Sequence, residues 1–186
     1  MMKRIFSFIR ARLRKVILEE IWLEDYIKRG MKVGKNCSIQ PRCIFDYSHC
    51  HLISIGNNVT LAPEVYILAH DASTKRVLDY TKIANVIIED NVFIGARSLI
   101  MPGVTIGENS IIGAGSIVTK SIPKNSVAVG NPAKVICEYD EYIKKQKNIL
   151  YRSNKFESDY ISGKIINKRN NEDMFKKLTS NSGFIR

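Results

Sequence analysis

A six-residue spacing of apolar side chains runs through the middle of this 186-residue chain. Six successive members of the series are Ile88, Ile94, Ile100, Ile106, Ile112 and Val118. An amphipathic helix repeats near 3.6 residues and a half-buried strand repeats at 2, so neither element explains a period of six. A hexapeptide period is typical of a parallel β-solenoid, in which each repeat forms one flat side of a triangular prism. The spacing therefore predicts an all-β core.

Two interruptions break the series. Its earlier members are Val33, Ile39 and Phe45 in one run and Ile55, Leu61 and Ile67 in the next. The first break follows Phe45 and the second follows Ile67, and residues inserted into a solenoid must loop outward. The second insertion, about residues 71–86, is strongly polar. Because loops on repeat scaffolds commonly carry function, this protruding loop is a candidate part of a site.

The formal net charge of +11 is concentrated on the flanks of the repeat region. Residues 1–32 hold nine Lys and Arg against four Asp and Glu, and residues 137–186 hold eleven against seven. Residues 33–136 hold nine against seven and are nearly neutral. The sequence has no zinc-finger spacing and no basic strands interleaved with aromatic residues, so the charge does not indicate nucleic acid as a partner.

The cysteines and histidines do not form a recognisable metal motif. Cys37, Cys43, Cys50 and Cys137 show no C-x-x-C pairing, which favours small buried thiols in a reducing compartment. His49 and His51 bracket Cys50, but no second ligand cluster with zinc spacing accompanies them. We therefore expect no metal requirement.

Residues 1–32 form a basic segment with a helical pattern. If residues 2–17 are drawn as a helix, apolar side chains gather on one side and about five cationic side chains lie on the opposite side, a pattern typical of an amphipathic helix. The segment has neither the ~20 apolar residues of a membrane span nor a secretory signal. Two interpretations stay open: the arc caps the end of the prism, or the helix lies on an anionic membrane surface. Either way we expect a cytoplasmic protein, free or peripheral on the inner membrane face.

The hexapeptide pattern stops near the C-terminus. The segment EYDEYIKKQKNIL, which begins at Glu138, predicts a short charged helix. The rest of residues 137–186 is polar and weakly patterned, which is typical of a covering segment or an irregular tail.

The stretch from Val92 to Ile136 resembles the C-terminal half of the left-handed β-helix acyltransferases, in particular the sugar O-acetyltransferases related to the maltose, galactoside and exopolysaccharide enzymes. The ordered string I-G-A-G-S-I-V-T-K followed by G-N-P-A-K carries the resemblance. It implies a left-handed coil over a catalytic domain of residues 33–136. It also implies a homotrimer that moves acetyl from acetyl-CoA, its co-substrate, to a hydroxyl of a sugar or polysaccharide precursor.

Such a transfer needs a base for the acceptor hydroxyl and donors for the developing oxyanion. An imidazole, with an ordinary pKa near 6.5, suits the first role. His70 opens the long polar loop, where the resembling enzymes place their general base. Asp71 adjoins it, and this carboxylate either orients His70 or contacts the acceptor. Asp46, in the first interrupted segment, is a second candidate acceptor contact or a turn carboxylate.

The donor contacts are implied by the resemblance alone. In the resembling enzymes, coenzyme A lies in a groove between neighbouring prisms, against small side chains and cations. Matched by position, these contacts fall on Ala96, Ala114, Thr119, Lys120 and Lys134. The chain has no serine or cysteine nucleophile motif, so direct attack of the acceptor on acetyl-CoA is the expected mechanism.

Other functions remain open on the sequence. An N-acetyltransferase acting on a nucleotide-linked amino sugar or an antibiotic would share these features. A carbonic anhydrase of the same fold needs three zinc-binding histidines on separate coils, and His49, His51 and His70 are spaced wrongly for that. A non-catalytic scaffold would not need the two motifs together with a histidine before a long loop. The sequence does not identify which of these acceptors is used.

Overall fold

The six-residue period forms a three-sided parallel β-helix. The computed structural model describes residues 21–156, 168–179 and 182–186, so the predicted amphipathic helix over residues 2–17 lies outside the described residues. The first face contains β1 (Lys32–Val33), β4 (Ile53–Ile55), β9 (Val86–Ile88) and β12 (Thr105–Ile106). The second contains β2 (Ser38–Ile39), β5 (Thr60–Leu61), β10 (Phe93–Ile94), β13 (Ile111–Ile112), β15 (Ser126–Gly130) and β16 (Ala133–Glu138). The third contains β3 (Ile44–Phe45), β6 (Tyr66–Ile67), β11 (Leu99–Ile100) and β14 (Ile117–Val118).

Strand pairing follows the register that the sequence predicts. Each turn of the coil passes through all three faces, and equivalent residues of successive turns pair in parallel, about 4.8 Å apart. On the third face, for example, Phe45 pairs with Ile67, Ile67 with Ile100, and Ile100 with Val118. The exception is β16, which runs antiparallel to β15 at one end of the second face.

The repeated apolar residues fill the interior of the prism. All six members of the sequence series are at most 1% exposed. Serines at the turn before a strand are buried as well, among them Ser98, Ser110 and Ser116. The hydroxyl of Ser98 donates to the carbonyl of Gly95 at 2.8 Å, so its burial leaves no polar group unsatisfied. The predicted all-β core is confirmed.

Left-handed turns form two of the three edges of the prism. At the first edge, between the first and second faces, five asparagines adopt φ of 55–59° and stack as a ladder: Asn36, Asn58, Asn91, Asn109 and Asn125. Their side-chain amides bond to one another at 3.0–3.4 Å. Asparagine tolerates this backbone region better than most residues. At the second edge, between the second and third faces, the equivalent positions hold Arg42, Glu64, Arg97 and Gly115.

Both insertions emerge from the third edge, between the third and first faces. The first contains a short 3₁₀ helix, Cys50–Leu52. The second, which the sequence predicts as a polar loop, is an antiparallel pair, β7 (His70–Asp71) and β8 (Lys82–Ile83), with the short helix α2 (Lys75–Leu78) between the strands. Because the two insertions leave successive turns of the coil at one edge, their first residues are neighbours.

A short helix precedes the first turn of the coil. Helix α1 (Leu23–Lys28) starts where the Asp25 carboxylate accepts a hydrogen bond from the backbone N–H of Trp22 at 2.9 Å. Its Tyr26 is 4% exposed and packs edge-on against Phe45, with ring centroids 5.1 Å apart. Residues next to the predicted amphipathic segment therefore cover the core near its first turn.

The chain divides into two compact units at Tyr139 and Asp140. The predicted C-terminal helix is confirmed as α3 (Tyr139–Arg152). Within the described part of the second unit, β17 (Asn154–Phe156) pairs in parallel with β18 (Gly183–Ile185), and α4 spans Lys168–Lys177. Among the described residues, no helix combines the length and the apolar character that crossing a membrane requires.

Candidate active site

The third edge brings one carboxylate and two imidazoles together. Asp46 directly follows β3, and His70 begins β7 one turn further along the coil. The pairing of Phe45 with Ile67 places Asp46 beside the residues that lead into His70. His49 lies in the first insertion, and its ring centroid is 5.0 Å from that of His70. Residues 24 positions apart in the sequence thus form one cluster.

Asp46 is the buried centre of this cluster, with 3% exposure. One carboxylate oxygen, Oδ2, accepts the backbone N–H of Ala69 at 3.0 Å and contacts His70 Nδ1. The other, Oδ1, accepts the backbone N–H of His49 at 3.1 Å. Burial acts to raise the pKa of Asp46, but the hydrogen bonds from His70, Ala69 and His49 outweigh it and hold the pKa below its ordinary value. Asp46 is therefore an anion at neutral pH.

His70 is held in one tautomer by this anion. Because an ionised carboxylate is only an acceptor, Nδ1 of His70 carries the proton that bonds to Asp46 Oδ2. The second ring nitrogen, Nε2, is then an unprotonated lone pair in the neutral imidazole. The side chain is 34% exposed. An imidazole that a carboxylate holds in one orientation, and that remains partly accessible to solvent, can remove a proton from a bound substrate.

Asp71, the other predicted acceptor contact, lies apart from this pairing. It follows His70 in β7, where consecutive side chains point to opposite faces. Its Oδ1 accepts the backbone N–H of Ser73 at 2.9 Å. Hydrogen bonds from Ser73 lower the pKa of Asp71, so it too is ionised. Of the two carboxylates, Asp46 is thus the one that contacts His70, whereas the sequence offered Asp71 for that role and predicted Asp46 as an acceptor contact or a turn carboxylate.

A groove of about 580 Å³ lies along the second edge. Its lining includes Ala96 and Ala114, two of the predicted donor contacts, which stack one turn apart. The backbone N–H of Gly115 donates to the carbonyl of Ala96 at 2.8 Å. Turns approach closely here: a Cβ on Gly95 would lie 2.7 Å from the Ala114 Cα. Glycine at position 95 therefore lets the two turns stack this closely, and the small side chains of Ala96 and Ala114 form part of the groove wall.

Two arginines flank the same groove, and neither is among the predicted donor contacts. Arg42 Nη2 lies 2.5 Å from Glu64 Oε1, and Arg97 Nε lies 2.7 Å from Glu64 Oε2. Bonding to Arg97, with the nearby charge of Arg42, lowers the pKa of Glu64. Both arginine side chains are more than three-quarters exposed. Two cations share one anion, so the cluster keeps a net positive charge. In the sequence the two arginines hold equivalent repeat positions two turns apart, with Glu64 at the same position of the turn between them.

The other three predicted donor contacts lie outside this groove. Thr119 and Lys120 follow β14 at the third edge, the edge that carries His70, two turns further along the coil. Lys134 lies in β16, where it pairs with Val129. All three are exposed. The single chain thus brings Ala96 and Ala114 together but not the full predicted set.

Comparisons with known proteins define the class. Residues 85–120 match the family model described as the hexapeptide repeat of succinyl-transferase. The galactoside O-acetyltransferase of Escherichia coli K12 is 37% identical over 149 residues, covering 68% of this chain and 71% of that protein. The galactoside O-acetyltransferase of Lactococcus lactis is 40% identical, covering 58% of this chain and 63% of that protein. Fold and repeats define a hexapeptide-repeat transferase.

A solved structure agrees with the sequence relatives. The maltose O-acetyltransferase from Clostridium difficile 630 superposes with a TM-score of 0.51 and 36% identity, covering 62% of this chain and 73% of that one. The chain belongs to the hexapeptide-repeat acetyltransferase family. Its fold class, a left-handed parallel β-helix, is confirmed, as is the prediction that it is an acetyltransferase.

Proposed function

We propose that this protein transfers the acetyl group of acetyl-CoA to a hydroxyl of a sugar or a polysaccharide precursor, with His70 as the general base. The observation that carries the proposal is the pairing of His70 with the buried Asp46 at the edge from which both insertions project. The named relatives, a maltose and two galactoside O-acetyltransferases, support a sugar hydroxyl as the acceptor.

The chemistry follows from the tautomer of His70. Nε2 removes the proton of the acceptor hydroxyl while that oxygen attacks the thioester carbonyl, which gives a tetrahedral oxyanion. The carbon–sulfur bond then breaks, and the coenzyme A thiolate takes the proton back from His70. Asp46 faces the imidazolium that exists between these two transfers and stabilises its charge. Proton and acetyl group are both accounted for, and no covalent enzyme intermediate is needed.

The groove at the second edge is the proposed site of the donor. Ala96 and Ala114 leave room for the pantetheine arm next to the backbone, and Arg42 and Arg97 supply cations for its phosphates. Thr119, Lys120 and Lys134 remain proposed donor contacts on the strength of the family resemblance. Asp71, ionised and half-buried on the second insertion, remains the proposed acceptor contact.

A homotrimer would unite the two halves of this site. The donor groove lies at the second edge and His70 at the third, so the whole width of the third face separates them within one chain. The outer side of that face carries apolar side chains, among them Ile44 and Tyr66, which are 48% and 40% exposed. Packing this face against another copy would bury them and bring one chain's groove towards another chain's His70.

The cellular setting of the reaction remains a proposal as well. We expect a cytoplasmic enzyme of polysaccharide synthesis. Residues 2–17 carry the pattern that would place it on the inner face of the membrane, or would cap the prism instead.

The central experiment measures acetyl transfer by His70→Ala. With acetyl-CoA and a panel of maltose, a galactoside and an amino sugar, wild type should acetylate a hydroxyl. His70→Ala should lose about two to four orders of magnitude in kcat while binding coenzyme A normally. His51→Ala is the matched control, since His51 is exposed and outside the cluster. Unchanged turnover in His70→Ala would contradict the assigned base, and transfer only to the amine would contradict the acceptor class.

A further inference from the structure

The cluster around Asp46 contains one polar atom that catalysis does not use. His49 Nδ1 is buried and has no hydrogen-bond partner among the described residues. It lies 3.5 Å from Asp46 Oδ1. A buried polar atom without a partner is costly, and few are found in native proteins. In the tautomer that protonates Nε2, the lone pair of this nitrogen is available for a ligand.

His49 belongs to a group of three potential metal ligands. One ligand atom from each of Asp46, His49 and His70 lies within 4.8 Å of the other two. The three residues come from three elements: the end of β3, the first insertion and the start of β7. The buried Asp46 carboxylate, whose two oxygens accept backbone N–H groups from Ala69 and His49, would attract a cation into this space.

We infer that Asp46, His49 and His70 form a binding site for a divalent transition-metal ion of the zinc class. Two imidazoles and one carboxylate suit this class of ion. Ligands at bond lengths of about 2.0–2.1 Å around a tetrahedral ion lie about 3.3 Å apart. The separation of Asp46 Oδ1 and His49 Nδ1 is already close to that value. Three protein ligands leave a fourth position for water.

The bound ion would inhibit acetyl transfer, an effect that rests on the proposed function. Nδ1 is the nitrogen of His70 that contacts Asp46, so coordination through it needs its lone pair, and the proton that it shares with Asp46 must leave. Transfer of this proton to Nε2 keeps the ring neutral and leaves the base with no lone pair for the acceptor. The ion would also occupy Asp46, which orients the ring. Inhibition would therefore lower kcat without changing the binding of coenzyme A at the second edge.

The binding experiment needs no enzymatic activity. Full-length protein freed of metal with a chelator is titrated with zinc chloride against a colorimetric zinc indicator. Wild type should bind one equivalent per chain more tightly than His49→Ala does, by at least about 10-fold, since loss of even an outer-shell partner costs that much and His49 is a direct ligand. His51→Ala should bind as wild type does. All four cysteines remain in each variant, so zinc held by thiols would give equal affinities and would overturn the site.

A kinetic experiment tests the inhibition. Zinc should inhibit wild type reversibly, with recovery on adding chelator, and His49→Ala should need at least about 10-fold more zinc relative to its own metal-free rate. Zinc that binds at one equivalent without slowing the reaction would overturn the inhibitory role. Full activity of His70→Ala would instead contradict the proposed general base. The zinc stoichiometry of the wild-type protein is measured separately and does not depend on that result.

Discussion

Asp46 lies behind His70, one turn earlier in the coil, and its buried carboxylate accepts a hydrogen bond from His70 Nδ1. The same carboxylate also accepts the backbone N–H of Ala69. These bonds fix both the position of the ring and the nitrogen that is left as a base. The pair has the logic of a carboxylate–imidazole dyad, in which the anion acts on the substrate only through the histidine.

Asp46→Asn should separate orientation from binding. An asparagine amide can donate to His70 Nδ1 and so favour the tautomer that protonates Nε2. We expect kcat to fall about 10- to 1,000-fold while the Kd of coenzyme A stays the same. Steady-state kinetics and calorimetric titration measure the two quantities. Asp79→Asn, on the exposed second insertion, is the control, and wild-type kcat in Asp46→Asn would rule out the orienting role.

The lowered pKa of Asp46 predicts how stability depends on pH. Because the folded-state pKa lies below the ordinary value of 3.8, ionised Asp46 contributes its full stability above that value. The contribution is lost as the pH falls through the folded-state pKa. Urea unfolding of wild type and Asp46→Asn at several pH values should show the largest difference near pH 7 and a shrinking one below about pH 4. A difference that stays constant into acid would contradict the assignment.

Ala114→Leu tests the groove at the second edge. The larger side chain would fill the space beside Ala96 where the donor is proposed to lie. We expect the KM for acetyl-CoA to rise about 10-fold or more, with a smaller effect on kcat, since the lost interaction is one of binding. Thr105→Leu, on the outer side of the first face, serves as the control. If both variants keep the wild-type KM, the donor lies elsewhere.

The oligomeric state is the prediction on which the composite site depends. Light scattering of the native protein should give about three times the chain mass of 21.2 kDa. Tyr66→Glu, a charge on the exposed apolar side of the third face, should shift the protein towards the monomer and reduce activity together. Thr60→Glu places the same charge on the second face and is the matched control. A fully active monomer would contradict the shared site.

Much of the fold could be predicted from the sequence because, in a repeat architecture, the spacing between two residues in the sequence gives their relative position in the coil. A side chain six residues further along lies on the next face, and one eighteen residues further lies directly above. The series from Ile88 to Val118 therefore predicted both burial and register. The two breaks in the series predicted where chain must leave the coil, and His70 stood out as the histidine at the second break.

The six-residue period does not predict which side chains contact one another at the two insertions that interrupt it. Because every third hexapeptide lies on the same face, the sequence shows that both breaks follow a third-face strand. Only the folded chain, however, brings Asp46 and His49 against His70. The side-chain directions at these exits depend on the insertions themselves, which have no repeat. The same holds for Arg42 and Arg97: their pairing through Glu64 arises from stacked left-handed turns rather than from any local motif. The sequence by itself determined the coil and its interruptions, whereas the tertiary structure decided which charged groups share an edge, because that depends on turns stacked from distant parts of the chain.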